Sequence, residues 1–441
     1  MQNWLDGIDL LSGVLLIGVS LVAGAAVVVV TLVRPRAVWI AIAVAAGALG
    51  TGIGLALCRW AESPSTFDTA LDPLGRAGVV GAFGALGVLS AALVRGGRWR
   101  RFLAAAGVVL ALTAGALAVN AEFGQYPTVG ALIGQPAAEA LPAGVAARQR
   151  SGAPLFADRT RVGAPPADWR GTSGGQRGLV AQVEIPGTTS HFPARPAYVY
   201  LPPAALASDP PALPVMVMLS GQPGGPGDVV RAGHLRGIMD AWAARDGGLA
   251  PIVVVPDQLG SPTANPMCLD SPLGASASYL TRDVPRWIRT HLTVEPDAAH
   301  WAIGGFSQGG TCAIQLGAAH PELFSAIVDV SGQVTPRNGD TANTIAVGFG
   351  GSASAYMAAR PATILAAHAP YTGTTAVFGY GSRDAQYGPG VQRMRRAAAA
   401  AGIATSRVVS PGTGHEWATV RYVLSSGIEP VLAHLGVGPV S

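Results

Sequence analysis

Trp301-Ala-Ile-Gly-Gly-Phe-Ser-Gln-Gly-Gly-Thr-Cys312 is the stretch on which the reading of this chain turns. It opens as an apolar, strand-like run and closes as the start of a helical pattern. Between the two stands Gly305-Phe306-Ser307-Gln308-Gly309, a G-x-S-x-G. A serine held in a tight strand-to-helix turn has a strained backbone, and side chains at the flanking positions would clash, so glycine stands at both. The turn lifts the hydroxyl clear and aims the N-terminus of the following helix at any oxyanion formed there. The spacing alone says little in a chain with 59 glycines. Gly171-Thr172-Ser173-Gly174-Gly175 matches it too, but follows polar Asp168-Trp169-Arg170 and leads into no helix, so it reads as linker.

Outward from this turn, from about residue 176, short apolar runs alternate with helical patterns. Strands are expected at 179–185, 197–201, 214–219, 252–256, 301–304, 326–330, 375–380 and 407–409. Helices are expected near 228–244, 276–292, 308–319, 386–401 and 416–434. Apolar runs separated by helices predict an α/β domain over 176–441, a mostly parallel sheet flanked by helices.

Where such a turn carries a nucleophile, an acid and then a histidine follow it along the chain. The histidines after Ser307 are His320, His368, His415 and His434. His320 precedes Pro321 at a helix end, where a surface capping role suffices, and His434 is expected on a solvated helix. Asp384 comes just past the run 375–380, whereas Asp340 sits in a polar loop and Asp329 inside a strand. His415 lies in the loop Pro411-Gly-Thr-Gly-His-Glu-Trp417. The expected triad is Ser307, Asp384 and His415. The imidazole takes the hydroxyl proton, and the carboxylate holds its tautomer and steadies the imidazolium. An oxyanion hole needs two N–H donors. One is expected from the backbone of Gln308. The other is expected from Gln222 in Ser220-Gly-Gln-Pro-Gly-Gly-Pro-Gly227, where Gly221 permits a turn and Pro223 cannot donate.

These residues resemble the esterase D and antigen 85 (mycolyltransferase) family of α/β-hydrolases over about 176–441. The resemblance rests on Leu219-Ser-Gly-Gln222, Gly305-Phe-Ser-Gln-Gly309, Asp384 and His415. It implies an α/β-hydrolase domain and acyl-ester chemistry through an acyl-enzyme, ending in hydrolysis or in transfer to a sugar hydroxyl. The chain has Ser220-Gly221 where esterases of the family often carry His-Gly. Mycolyltransferases usually have a glutamate as acid and a cleaved signal peptide, so an esterase is the preferred reading. An acyltransferase and a non-catalytic envelope-binding module are the alternatives.

Hydrophobic residues make up 49% of the 441 and charged residues 12%, too apolar for an ordinary soluble protein. The excess lies in residues 1–120, in the uncharged stretches Leu10–Val33, Ala37–Cys58, Ala77–Val94 and Phe102–Val119. A helix needs roughly 17–25 residues to cross the hydrocarbon, so an all-α transmembrane four-helix region is expected. The first stretch is too long for a cleaved signal peptide and lacks a basic region before it. Arg34 and Arg36 follow the first stretch, and Arg95, Arg98, Arg100 and Arg101 the third. The N-terminal tail carries Asp6 and Asp9, and Arg59 and Arg76 in the second loop are set against Glu62, Asp68 and Asp72. The positive-inside rule then puts both termini and the catalytic domain outside the cytoplasm, on a multi-pass anchor in the cell membrane. Gly50 and Gly54, with Gly78, Gly81, Gly84 and Gly87, suit close helix packing. Residues 121–175, rich in Ala, Pro, Gly and Arg, read as linker.

The net charge is +4 and every basic residue is arginine. Those between the apolar stretches are topology signals, and no nucleic-acid surface is expected. Cys58 lies in a span. Cys268 and Cys312 would form a disulfide in an oxidising envelope if their Cα atoms approach closely enough, which the sequence leaves open. No HExxH, CxxC pair or Walker loop occurs, so neither metal nor cofactor is expected. The expected partners are the bilayer and an ester substrate, with a cell-envelope lipid or aminoacyl-lipid ester suggested by the anchor.

Overall fold

A computed structural model describes residues 4–5, 7–11, 13–33, 36–63, 70–133, 138–142, 145–146, 171 and 177–437. Asp6, Arg34, Asp68, residues 172–175 of the second serine motif and most of the expected linker lie outside them. The chain divides into two compact units, Met1–Gln135 and Pro136–Ser441.

The first unit is helical: α1 Val14–Leu32, α2 Ala37–Ala61, α3 Pro73–Arg95, α4 Arg98–Phe123 and the single turn α5 Val129–Leu132. Helices α1 to α4 are each long and apolar enough to cross a membrane. α3 and α4 outrun the expected spans because arginine is a good helix former: Arg76 and Arg95 are helical near the two ends of α3, and Arg98, Arg100 and Arg101 form the start of α4. A Cβ on Gly50 would run into the Phe83 carbonyl, and one on Gly87 into the Ala46 carbonyl, so α2 and α3 meet backbone to backbone. Gly78 lies against Ala118, whereas Gly81 faces open space. Arginines serve the helix ends, whose last carbonyls have no partner within the helix. Arg100 donates to the Val33 carbonyl at 2.6 Å and Arg101 to the Val94 carbonyl at 3.1 Å. At the other end Glu122 accepts the Asp72 N–H at 2.7 Å.

The second unit is built on a nine-stranded sheet in the order β1-β2-β3-β5-β4-β6-β7-β8-β9. Its strands are β1 Glu139–Ala140, β2 Leu179–Val183, β3 Ala197–Leu201, β4 Val215–Leu219, β5 Ile252–Val255, β6 Trp301–Phe306, β7 Ala326–Val330, β8 Thr375–Gly381 and β9 Ala404–Ser410. Strand β3 is antiparallel to β2 and β5, and every other pair is parallel. Strands β4 to β8 are buried along their whole length, as a sheet covered on both faces requires. Around them lie α6 Pro226–Arg231, α7 Leu235–Arg245, α8 Val284–His291, α9 Gln308–Ala319, α10 Thr341–Phe349, α11 Ala353–Ala358, α12 Pro361–His368, α13 Gly388–Ala400, α14 Trp417–Ser426 and α15 Glu429–Leu435.

The elements depart from expectation where a local breaker intervenes. The helix expected at 228–244 is split at Gly233-His234, with His234 at φ 52°. The one expected at 416–434 breaks at Gly427-Ile428, and Pro430 opens the second piece. Helices α10 to α12 have little apolar periodicity and were not expected. The Asp340 and Ser352 side chains accept the Asn343 and Ala355 N–H groups and start the first two. Strand β1, from the stretch read as linker, pairs with β2.

Strand β4 has β5 on one side and β6 on the other, so the chain changes direction across the sheet there. Such a switch point opens a crevice at the carboxyl ends of the strands. The ends of β4 and β6 carry Leu219 and Phe306, and the loops after them hold the residues considered next.

Candidate active site

Ser307 stands between β6 and α9 at φ 57° and ψ −116°. A side-chain-bearing residue pays about 1–3 kcal/mol for such a backbone, which persists only where the surroundings over-determine it. They do so here. A Cβ on Gly305 would run into the backbone of Gly309, and one on Gly309 into the carbonyls of Leu219 and Ser220. The Ser307 N–H donates to the Val330 carbonyl at 2.8 Å, tying the turn to the end of β7.

The Ser307 Oγ lies 2.8 Å from His415 Nε2, and His415 Nδ1 lies 3.3 Å from Asp384 Oδ2. With the imidazole proton on Nδ1, the hydroxyl donates to Nε2 and the ring donates to the carboxylate. Asp384 also accepts the Tyr387 N–H at Oδ1 and the Ser331 hydroxyl at Oδ2, each at 2.9 Å. Burial opposes ionisation of Asp384. The hydrogen bond and charge of His415, with the Tyr387 and Ser331 donors, outweigh it and hold the carboxyl below its ordinary value. The imidazole packs against two rings, Phe306 at 4.9 Å and Tyr387 at 4.3 Å between centroids. Gly381 ends β8 where a Cβ would run into the Thr413 and Gly414 carbonyls, so glycine admits the loop carrying His415. That loop is pinned by Arg383 N–H to the Thr413 carbonyl at 2.9 Å and Ser382 N–H to the Ser410 carbonyl at 2.8 Å.

Gln308 is the first residue of α9, where backbone N–H groups have no partner within the helix. A Cβ on Gly221 would lie 3.5 Å from Ser307 Cβ, so the loop after β4 runs beside the hydroxyl. Gln222, half-buried in that loop, donates through Nε2 to the Thr263 carbonyl at 3.0 Å. A disulfide joins Cys268 to Cys312, with Cα atoms 5.6 Å apart, and links the loop after β5 to α9. Cys58 is a buried free thiol in α2.

The remaining candidates go elsewhere. Asp329 is fully buried, accepts the Gly332 N–H at 2.9 Å through Oδ1, and is pushed up to about 7 by burial. His320 ends α9 and lies 2.8 Å from Glu322. His434 is not solvated as expected. Its Nε2 lies 2.9 Å from Ser325 Oγ, and burial, with His300 nearby, holds it below the usual histidine value. Among the described residues no cluster of three His, Cys, Asp or Glu side chains is arranged to hold a metal.

Sequence reasoning missed Ser331, Tyr387 and Phe306 around the imidazole, and Asp257 and Gln258 behind the turn. The rule that singles out Asp384, a polar residue just past a buried strand, also marks Ser331 after β7 and Asp257-Gln258 after β5. The aromatic partners of His415 carry no comparable signal.

A mostly parallel sheet with a strained serine at a strand-to-helix turn, backed by an imidazole and a carboxylate, defines an α/β-hydrolase of the serine type. Comparison with known proteins gives the family. The chain belongs to the Esterase family, described as "Putative esterase", whose model matches residues 193–416. It is a serine hydrolase of carboxylic esters, or an acyltransferase of the same fold. An uncharacterized protein of Corynebacterium glutamicum is 33% identical over 356 residues, covering 78% of this chain and 79% of that one. Among solved structures, an S-formylglutathione hydrolase from Agrobacterium tumefaciens is 19% identical, with a TM-score of 0.49, over 60% of this chain and 98% of that chain. A ferulic acid esterase is 18% identical, with a TM-score of 0.47, over 59% and 97%. Mycobacterium tuberculosis MPT51 is 18% identical, with a TM-score of 0.40, over 59% and 99%.

Proposed function

We propose that the protein is a membrane-anchored serine esterase whose catalytic unit works outside the cytoplasm. Ser307 is the nucleophile, His415 the general base and Asp384 the residue that orients it. The hydroxyl oxygen attacks the ester carbonyl while its proton passes to Nε2. The backbone N–H groups of Gln308 and Gln222 receive the developing oxyanion. The imidazolium protonates the departing alcohol and leaves an acyl-serine. Water, deprotonated at the same nitrogen, then releases the acid and restores the hydroxyl. A sugar or lipid hydroxyl in place of water would make the same site an acyltransferase.

The observation that carries this reading is the 2.8 Å contact between Ser307 Oγ and His415 Nε2, made from a strained turn. The extracytoplasmic placement is supported by Arg36 and by Arg95 to Arg101 on one side of the helical unit, and by a disulfide suited to an oxidising compartment. The anchor makes an envelope lipid or aminoacyl-lipid ester the substrate class of choice.

Detergent-solubilised full-length protein treated with a fluorophosphonate should be labelled at Ser307 and lose esterase activity; an unlabelled, inactive protein would favour a non-catalytic envelope-binding module. Lipid esters and short soluble esters, tested with and without an added hydroxyl acceptor, separate substrate class and hydrolysis from transfer. Turnover of soluble esters alone would overturn the lipid assignment. Impermeant thiol reagents applied to intact cells, with single cysteines placed beside Arg98 and in the second unit, test the topology: only the second should react.

A further inference from the structure

Two buried amides meet behind the nucleophile turn. Gln258, in the loop after β5, donates through Nε2 to the Ser220 carbonyl at 2.7 Å and to Gln308 Oε1 at 3.0 Å. Gln308 donates through Nε2 to Asn265 Oδ1 at 3.2 Å, and Asn265 through Nδ2 to the Arg337 carbonyl at 2.7 Å. Side-chain amides can be placed end for end, but this run is fixed at both termini, because a backbone carbonyl can only accept. Every amide between must therefore point its nitrogen as described.

We propose that Gln258 is the positioning residue of the oxyanion hole, one amide clamping together the two segments that supply its donors. The proposal rests on the reading of Gln308 and Gln222 given above. Those donors come from segments far apart in sequence, and an oxyanion is stabilised only if both N–H groups are preorganised at the right separation. Gly309 lets the segments touch but supplies no directional bond. Gln258 supplies one, to the residue before Gly221 on one side and to Gln308 on the other. Its neighbour Asp257 pairs with Arg195 at 2.7 Å, and Arg195 donates to the Gly224 carbonyl at 3.0 Å, so consecutive residues grip both ends of the loop. Gln258 Oε1 has no partner among the described residues.

The test compares Gln258→Leu and Gln258→Asn with the unaltered full-length protein in detergent. The probes are a short p-nitrophenyl ester and a trifluoromethyl ketone, which adds to the serine as a tetrahedral oxyanion. Outright loss of an oxyanion donor costs about 10²–10³ in kcat, so misplacing both donors should cost Gln258→Leu about 10- to 100-fold, with KM within about threefold. Ketone affinity should fall by the same factor as kcat/KM, while binding of a ground-state competitive inhibitor stays put. Gln258→Asn, one methylene short, should show the same proportionality with a smaller loss, and it carries the test if the leucine variant does not fold. Unchanged kcat, or equal loss of ketone and ground-state binding, overturns the clamp. Ser307→Ala run alongside separates the two ideas: turnover surviving in that variant sinks the nucleophile reading itself.

Discussion

The two units are built inside out with respect to each other. In the helical unit most buried positions are small, among them Ala43, Gly50, Ala82, Ala92 and Ala104, with larger exceptions such as Val30, Trp39, Leu89 and Leu117, while Leu21, Leu49, Phe102 and Val109 are exposed. In the catalytic unit the largest side chains are the most buried, led by Trp301, Tyr200, Tyr279, Phe324 and Phe378. Among the described residues every exposed large hydrophobic side chain precedes residue 134, apart from Leu273, Met357 and Tyr422. In water, association is driven by removing large apolar surfaces from solvent. In lipid that drive is absent, and helices associate where small residues let backbones meet. Small and large apolar residues are therefore placed oppositely in the two units, as one unit suited to lipid and one suited to water would require. Polar groups follow suit: the helical unit keeps its carboxylates at helix ends, whereas the catalytic unit buries Asp257, Asp329 and Asp384.

The sharpest way to probe that contrast is to neutralise the buried charge on which the proposed chemistry depends. Asp384→Asn leaves the shape intact but lets the amide nitrogen face Nδ1, which favours the wrong imidazole tautomer. Substitutions of this kind lower kcat by about 10⁴-fold, and steady-state kinetics on a soluble ester should show a loss of that order. A fall of less than about tenfold would mean that another group orients His415. Next in size is the core itself. Phe378→Ala, in the middle of β8, should cost about 3–5 kcal/mol by denaturant unfolding, whereas Leu49→Ala on the exposed face of α2 should cost under about 0.5 kcal/mol in micelles. Equal costs would break the comparison.

How much of this could be read in advance depended on whether one residue carried its own signal. The turn at Ser307 is legible because both flanking glycines are sterically required, Asp384 because it lies just past a buried strand, and His415 because it stands in the glycine-rich loop between the last strand and a helix. Helices α1 to α4 are legible because each contains a long uncharged run of the length a bilayer span needs. Helices α10 to α12 were not, since their start depends on the single caps Asp340 and Ser352 rather than on a periodic face. Nor was the burial of His434 against Ser325, which is set by packing between residues distant in sequence. The amide run through Gln258 is of that kind as well.

Asp329 gives a smaller effect with a distinctive pH signature. An unfolded aspartate ionises near 3.9, and burial pushes this one up to about 7. Between those values the folded chain holds a proton that the unfolded chain has lost, so its stability falls as pH rises from about 4 to about 7 and then levels off. The Asp329→Asn variant cannot titrate and should lack that fall. Melting temperatures of the two proteins should therefore agree near pH 4 and diverge by pH 7.5, with the variant more stable by a few kcal/mol at most. Asp384, held low, loses its contribution only as pH drops below the ordinary carboxylate range, so the two windows do not overlap. Parallel curves for the two proteins would mean that Asp329 is ionised in the folded chain.

The smallest expected effects lie in the helical unit, and they test its packing directly. Gly50 faces the Phe83 carbonyl with no room for a Cβ, whereas Gly81 has nothing within 4 Å of that position. Gly50→Leu must push α2 from α3, an overpacking cost of about 1–3 kcal/mol that should appear as a lower midpoint in detergent titration. Gly81→Leu adds an apolar side chain where lipid would meet it and removes a helix-weakening glycine, so it should be neutral or stabilising by less than about 1 kcal/mol. If the helices were held by large interlocking side chains instead, neither glycine would matter and the two variants would unfold together. If Gly81→Leu proved the more damaging, that face of α3 would be covered by something other than lipid, and the inside-out contrast would fail at that helix.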